Sequence, residues 1–383
     1  MRVKEVRSFS ELIAMKDRWK NALESCEHSV FSTWEWLSTW WKHFGKNKRL
    51  VVLVAEENGS IVGVAPLMYS VHTIFGLRQG MIEFIGSPHS DYNHFILTDK
   101  NQDWKKLFFD HLNNLSENWS ILKLTDIPGS DNSISFLRKI SSSIRPLYEC
   151  PYSLLPKSYD ALLSSLRSKY RRSLQRNSRR LKRDGLKAHF VDYSETPKVA
   201  EGMNLLFDLH QKRWKQKGFP SALDYPDVRS FNLEIARLFS KEGWLGLYSF
   251  EISGKPAAIL YGFKYKHKYY AYIQGIDPSY LKYSVGNLLI LHVMNKCIQD
   301  QITQFDFLRG AEDYKKRWNT MSRWNLEIIV PRNRSLAYFG YSMYRKYWAA
   351  NARLKLVFAK LVKTNHRSLS TKSDFQNLSG GNR

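Results

Sequence analysis

The chain has 383 residues, a net charge of +24, and 43% apolar and 14% aromatic residues, so it is too long for one core, two domains are expected, and a largely disordered chain is excluded. The charge is clustered: Arg167 to Lys187 sets ten basic residues against one acid and Pro331 to Arg383 eleven against one, together 19 of the 24, so anionic partners should meet those two segments. No apolar run approaches the roughly 20 residues of a membrane span, Met1 to Lys20 lacks the pattern of an export leader, and Cys26, Cys150 and Cys297 are too scattered for a disulfide framework or a metal site.

Ser10 to Glu24 and Thr33 to Phe44 carry apolar residues at helical spacing, the second with Trp36, Leu37, Trp40 and Trp41, read as core rather than as a sugar platform. Leu50 to Glu56 and Ile61 to Val71 read as strands joined by the hairpin pair Asn58-Gly59, and further strands fit Met81 to Ile85 and His94 to Leu97. A helix at Asp103 to Leu115, a strand at Ile121 to Thr125, a helix at Asn132 to Ile140 and a strand at Arg145 to Tyr152 complete a first half, 1–155.

The second half, 156–334, opens on a basic helix over 158–184, capped by Ser158 and ended by Gly185. The earlier order then repeats. Helices run from Thr196-Pro197 to Gly218 and from Pro226 to Leu238, and strands Leu245 to Ile252 and Ala257 to Tyr265 flank Ser253-Gly254. A strand at Tyr269 to Gln274, a helix at Val285 to Gln299 and strands at Gln304 to Leu308 and Trp324 to Val330 follow. Two halves of one order imply a structural duplication of α/β (α+β) class. The rest, 335–383, is expected to be a basic amphipathic helix, with Leu336, Phe339, Met343, Tyr347, Leu354, Val357 and Leu361 on one stripe, and then a disordered tail. Such a stripe docks on the protein or lies on an anionic membrane surface.

Five segments carry a family resemblance: FSTWEWLSTWWKHFG (Phe31 to Gly45), SKYRRSLQRNSRRL (Ser168 to Leu181), LHQKRW (Leu209 to Trp214), YIQGIDPSYLKYSVGNLL (Tyr272 to Leu289) and FDFLRGAEDYKKRW (Phe305 to Trp318). They resemble the CelD-like branch of the GNAT superfamily, associated with cellulose and exopolysaccharide production and related to the Fem aminoacyltransferases. The resemblance implies tandem GNAT-like halves, each a mixed, mostly antiparallel sheet flanked by helices, and an acyltransferase using acyl-CoA (acetyl-CoA) as co-substrate with no permanently bound cofactor. In that fold two strands splay apart to take the pantetheine arm, and the next helix offers its first amides to the pyrophosphate. The corresponding place here gives Gln274, Gly275, Lys282, Ser284, Gly286 and Asn287 as donor-binding residues. The family's usual Gly-x-Gly or Gly-x-Ala phosphate signature is reduced to KYSVGN, Lys282 to Asn287.

Amine acylation needs a base, a stabiliser of the oxyanion and an acid for the leaving thiolate. Glu312 or Asp306 is the candidate base, Tyr283 or Tyr314 the acid, and Lys315 or Arg309 the anchor for an anionic group. The structural alternative pairs Arg309 with Asp306 or Glu312. GSPHSDYNHF (Gly86 to Phe95) resembles the family's SDY segment and makes Asp91, Tyr92 and His94 candidate acceptor contacts; its irregular spacing argues against a metal. His210 reads as a satisfied core histidine. No GxSxG elbow, Walker loop or paired-cysteine motif occurs.

The expected acceptor is an amine or hydroxyl of a sugar or cell-envelope precursor, met in the cytoplasm or at the inner membrane face. Two other readings stay open: a Fem-like transferase taking its donor from aminoacyl-tRNA through the +9 helix, and a non-catalytic subunit of a polysaccharide or membrane assembly. DNA is not an expected partner.

Overall fold

The computed structural model describes residues 2–98, 103–332 and 338–347. The first half runs β1 (Arg2–Val6), α1 (Phe9–Ala14), α2 (Lys16–Glu24), α3 (Trp34–Phe44), β2 (Arg49–Glu57), β3 (Ser60–Ile74), β4 (Leu77–Phe84), β5 (Ile96–Leu97), α4 (Asp103–Asn113), β6 (Trp119–Pro128), α5 (Ile134–Ile140) and β7 (Ser143–Leu154). The second runs α6 (Tyr159–Ser165), α7 (Ser168–Arg183), β8 (Ala188–Asp192), α8 (Val199–Gln216), α9 (Pro226–Lys241), β9 (Leu245–Ile252), β10 (Lys255–Tyr265), β11 (Lys268–Ile276), α10 (Val285–Gln299), β12 (Gln304–Asp306) and β13 (Met321–Pro331). Asn58-Gly59 and Ser253-Gly254 both turn with positive φ at each residue, the geometry that matches strand twist in a two-residue hairpin.

The strands form one mixed sheet in the order β1-β2-β3-β4-β6-β13-β7-β12-β11-β10-β9-β8, with β5 on the side of β3. Each half contributes six strands to that path, and the order is the same read from either edge. The centre is an exchange. β7, which ends the first half in sequence, lies between β13 and β12, and β13, which ends the second, lies between β6 and β7. Only β4 with β6 and β11 with β12 run parallel. The two halves therefore share a hydrogen-bonded sheet, and they also share a core. Trp36 of α3, held by the Thr33 cap, stacks edge-on against Phe231 of α9 and Phe263 of β10, and Trp36 and Trp40 are fully buried.

Three sequence expectations need revision. The helix over 158–184 is two helices, because Leu166 and Arg167 take extended backbone between α6 and α7 while Leu166 packs into the core. β1 and β8 form the two sheet edges and escape periodicity, being five-residue strands interleaved with charge that hold only through distant partners β2 and β9. The helix over 338–347 docks through Tyr341 on Ile74, Met81, Ile121 and Ile329, so the expected stripe residues Phe339, Met343 and Tyr347 stay exposed. Leu336, Leu354, Val357, Leu361 and the expected disordered tail lie outside the described residues. Among the described residues no helix is long and apolar enough to cross a membrane.

Candidate active site

β11 and β12 pair in parallel only from Lys268↔Gln304 to Tyr270↔Asp306. Beyond that point Phe307 and Gly310 donate their amides to Pro151 and Glu149 of β7, and positive φ at Leu308 and Gly310 turns the chain away. β11 continues to Ile276 paired with β10, but from Ala271 onward its side facing β12 has no strand partner. A cleft of about 710 Å³ opens there, with Gln274 and Ile276 on one wall, Phe307 and Leu308 on the other, and Ser284, Gly286 and Asn287 at the start of α10 closing one end. Ser284 takes the left-handed conformation (φ 53°), which turns the short Pro278–Tyr283 helix directly into α10. At the start of α10 the Asn287 amide already donates to the Ser284 carbonyl at 2.9 Å, and the amides of Val285 and Gly286 have no helical carbonyl behind them.

Gln274 spans the gap's end by donating Nε2 to the Gly286 carbonyl at 3.2 Å. A Cβ on Gly286 would stand 2.7 Å from Ile276 Cδ1 and 3.2 Å from Gln274 Oε1, so the helix start lies as close to β11 as glycine allows. Gly275 has another use, since its own Cβ would sit 2.9 Å from Leu209 Cβ on α8. Lys282 lies outside the cleft in a neighbouring groove along α7, which Ser284 also lines.

The loop FDFLRGAEDYKKRW supplies the far wall. Lys315 is buried and gives its ammonium to the carbonyls of Leu308, Arg309 and Gly310 and to Glu312 Oε2 at 2.9 Å, so it pins the turn instead of standing free for a phosphate. Arg309 is 2.5 Å from Asp91 and 3.7 Å from Asp126 and donates to the Pro88 carbonyl at 2.7 Å. Its partners are therefore carboxylates of the first half, not Asp306 or Glu312. Burial pushes Asp91 up to about 7 against the pull of Arg309, with Asp126 beside it adding to the rise, and burial likewise pushes Asp126 up to about 6. Two carboxylates on one guanidinium hold a proton near neutrality.

Glu312 and Tyr314 line the cleft, Glu312 half in solvent and Tyr314 with its phenol raised by burial. Asp306 and Tyr283 do not line it. Asp306 is buried behind the wall, accepting the Tyr92 hydroxyl and the Leu308 amide 3.7 Å from Arg323, and Tyr283 donates to Asp184 at 2.8 Å. The Gly86 to Phe95 loop serves two places. His89 and Asp91 face this cleft, whereas Tyr92 and His94, the latter bonded to Asp131 at 2.8 Å, face a separate small pocket with Arg323.

Tyr272 and His89 complete the wall beyond the expected set, with Asp126 behind Arg309 at 3.7 Å. Tyr272 donates to the His89 carbonyl at 2.9 Å. Trp40 donates Nε1 to His89 Nδ1, which leaves the proton of that imidazole on Nε2, and burial lowers its pKa to about 4. His210 lines the cleft's outer part, but Trp214 occupies its Nε2 and Ser221 its Nδ1, the satisfied state expected of it. Among the described residues no group of three His, Cys, Asp or Glu has the arrangement of a metal site.

Residues 168–316 match the model of the acetyltransferase (GNAT) domain. Among solved structures, the crystal structure of FemX superposes with a TM-score of 0.60 at 11% identity, over 85% of this chain and 97% of that one. L-PGS from Bacillus licheniformis gives 0.53 at 12%, over 86% and 96%, and a conserved protein of unknown function from Bacteroides thetaiotaomicron gives 0.54 at 10%, over 86% and 99%. No curated protein matches the sequence. At these identities the structures establish the fold, and the domain match establishes the kind of chemistry: the chain is a tandem GNAT-fold acyltransferase whose second half carries the acetyltransferase (GNAT) domain.

Proposed function

We propose that the protein moves an acyl group, acetyl being the expected one, from a CoA thioester to an amine or hydroxyl of a sugar or cell-envelope precursor, on the cytoplasmic side of the membrane and in the exopolysaccharide context of the CelD-like motifs. The observation that carries this reading is the unpaired edge of β11 from Ala271 to Ile276, which runs toward the first turn of α10. An extended pantetheine arm adds to such an edge as a strand would, and a pyrophosphate is held by the free amides of a helix start, here with the Ser284 hydroxyl beside them. The acceptor then enters between Arg309, Glu312 and the first-half wall of His89 and Asp91. Asp91, brought near neutrality by burial, takes the proton of the attacking nitrogen or oxygen as it bonds to the thioester carbon. The C–S bond breaks, and Tyr314 protonates the departing thiolate. Glu312 is the alternative base, through a water. Titration of the purified full chain with CoA tests the donor: saturable binding is expected, and its absence together with no CoA thioester in native mass spectra overturns the reading.

A second reading, an aminoacyl-tRNA donor, has one observation in its favour. Arg172, Arg176, Arg179, Arg180, Arg183 and Lys282 surround a groove of about 850 Å³ that meets the cleft at Ser284. It requires tRNA to copurify and to be released steeply by salt, because phosphate contacts release counterions. Copurified tRNA with no CoA affinity would replace the first reading by this one.

A further inference from the structure

Along α7 beside the arginine groove, and sharing Gln175 and Arg179 with its lining, lies a second cavity of about 710 Å³, between α6, α7, β8 and α10. Its floor is aliphatic and aromatic, formed by Leu163, Leu174, Leu186, Phe190, Leu288 and Leu291. Its rim carries Arg179, Lys182 and Lys187, all exposed, and none of them has an ion pair among the described residues. No acidic side chain lines it. On the apolar side His292 stacks face to face on Phe190 with ring centroids 3.7 Å apart and is held toward its neutral form by burial, and Tyr159, its phenol raised by burial, also lines the cavity. None of this takes part in the CoA-dependent transfer described above, since the residues that line this cavity and those that line the donor cleft do not overlap.

An apolar trough of this size takes a small ligand, and its few polar groups set orientation. Three cations without an ion pair at one rim select an anionic head, and the aliphatic and aromatic floor selects a hydrocarbon body, with Gln175, Ser178 and Asn295 the few uncharged polar side chains beside it. The chain's own C-terminal segment has apolar residues but eleven basic residues against one acid over Pro331 to Arg383, so it meets like charge at this rim. A second copy, at net +24, meets the same repulsion. The concavity suits a single chain lying in it better than a flat bilayer resting on it.

We propose that the trough between α7, α10 and β8 is a binding site for the single alkyl chain of a long-chain carboxylate, with the head group held by Arg179, Lys182 and Lys187. The site shares no lining residue with the donor cleft, and only Arg179 and Gln175 with the arginine groove. Calorimetric titration of the full chain with octanoate, decanoate and dodecanoate below their micellar concentrations tests it. Affinity should rise up to about fourfold for each methylene buried, the ratio that about 0.8 kcal/mol per buried CH₂ gives. Lys182→Glu with Lys187→Glu should weaken dodecanoate binding at least tenfold, and so should Leu163→Gln with Leu291→Gln, two half-exposed floor positions whose replacement leaves the core intact; melting temperature and CoA titration serve as controls for the fold. Affinity independent of chain length, undiminished binding in both double variants with the fold intact, or equal binding of dodecyltrimethylammonium overturns the proposal. So does association with anionic phosphatidylglycerol vesicles without any binding of dodecanoate.

Discussion

The two halves of the sheet each contain a parallel strand pair, β4 with β6 and β11 with β12, yet only the second leaves its gap open. In the first half the pairing runs Gly80↔Trp119 to Glu83↔Lys123, and the strands then diverge as their counterparts do. The loop after β4 returns into that divergence. Asn93 donates its amide to the Asp126 carbonyl at 2.8 Å and its side chain to the Thr125 carbonyl at 3.1 Å, and Ser87 reaches Thr125 Oγ1. β6 thus spends its free edge on its own chain. In the second half the link from β11 to α10 is one short helical turn, Pro278–Tyr283, and no described segment crosses from β11 to Phe307. The lesson is that a duplicated fold gains a second wall by losing a second site: the plug of the first gap carries His89 and Asp91 on its other side, and these line the cleft that stayed open.

The strongest way to break that comparison is at the plug's contribution to chemistry. Asp91→Asn should lower kcat by about 10²- to 10⁴-fold if Asp91 is the base, with donor affinity retained. In the native protein kcat/KM should climb with pH through about 7, and Asp126→Asn, by removing a neighbouring negative charge, should move that limb to lower pH. Stability has a definite sign too. Because the folded pKa of Asp91 is raised from 3.8 to about 7, its contribution favours folding below about pH 4 and is lost as pH rises toward 7, so chemical denaturation should show a slope over that window which Asp91→Asn flattens. A variant with unchanged kcat would reassign the base to Glu312. Next in size, Gly286→Glu puts a side chain where Ile276 and Gln274 already stand and a carboxylate against the phosphate position; CoA affinity should fall by at least about 100-fold, roughly 2.7 kcal/mol. Retained affinity would mean that the open gap is not the donor site. Lys315→Met removes one ammonium from three carbonyls and should cost about 2–3 kcal/mol of unfolding free energy, read in urea melts, with KM raised as the Arg309 turn loosens.

What the sequence disclosed of this arrangement follows the range of the forces involved. Both hairpins, α10 and the strand β11 rest on local signals, Asn58-Gly59, Ser253-Gly254 and an apolar run ended by polar residues, and are legible, whereas the opening beside β11 comes from the family resemblance. The exchange of β7 and β13 is not legible, because either strand would satisfy an adjacent position equally well by pattern; only the long-range pairing of β7 with β12 and of β13 with β6 decides. Within the site, Gln274, Gly286 and Asn287 follow from a strand running into a helix start. Arg309's true partners do not. Asp91 and Asp126 are far from it in the chain, and Asp126 sits at the end of β6 with positive φ and no motif around it. Tyr283 and Asp306 have the chemical type of an acid and a base, but packing buries them, against Asp184 in one case and Tyr92 in the other, which no spacing rule reports.

The smallest predicted effect gives the cleanest separation of the two gaps. Asn93→Ala takes away the side-chain donor to the Thr125 carbonyl and to Ser87 Oγ but leaves the backbone bond to Asp126. Asn93 is buried, so the abandoned carbonyl is not rehydrated at no cost, and about 1–2 kcal/mol of stability should be lost, seen as a lower melting midpoint with an unchanged m-value. CoA affinity should not move, because among the described residues the hydrogen bond between the plug and β11 is the one from Tyr272 to the His89 carbonyl, short of Gln274 and the start of α10. Acceptor KM should rise a few-fold, because Asp91 sits two residues from the loosened contact and is placed by the same loop. If CoA affinity fell in step with stability, the halves would be coupled through the shared β7–β13 ladder, and the first gap would be part of the donor site instead of its sealed twin.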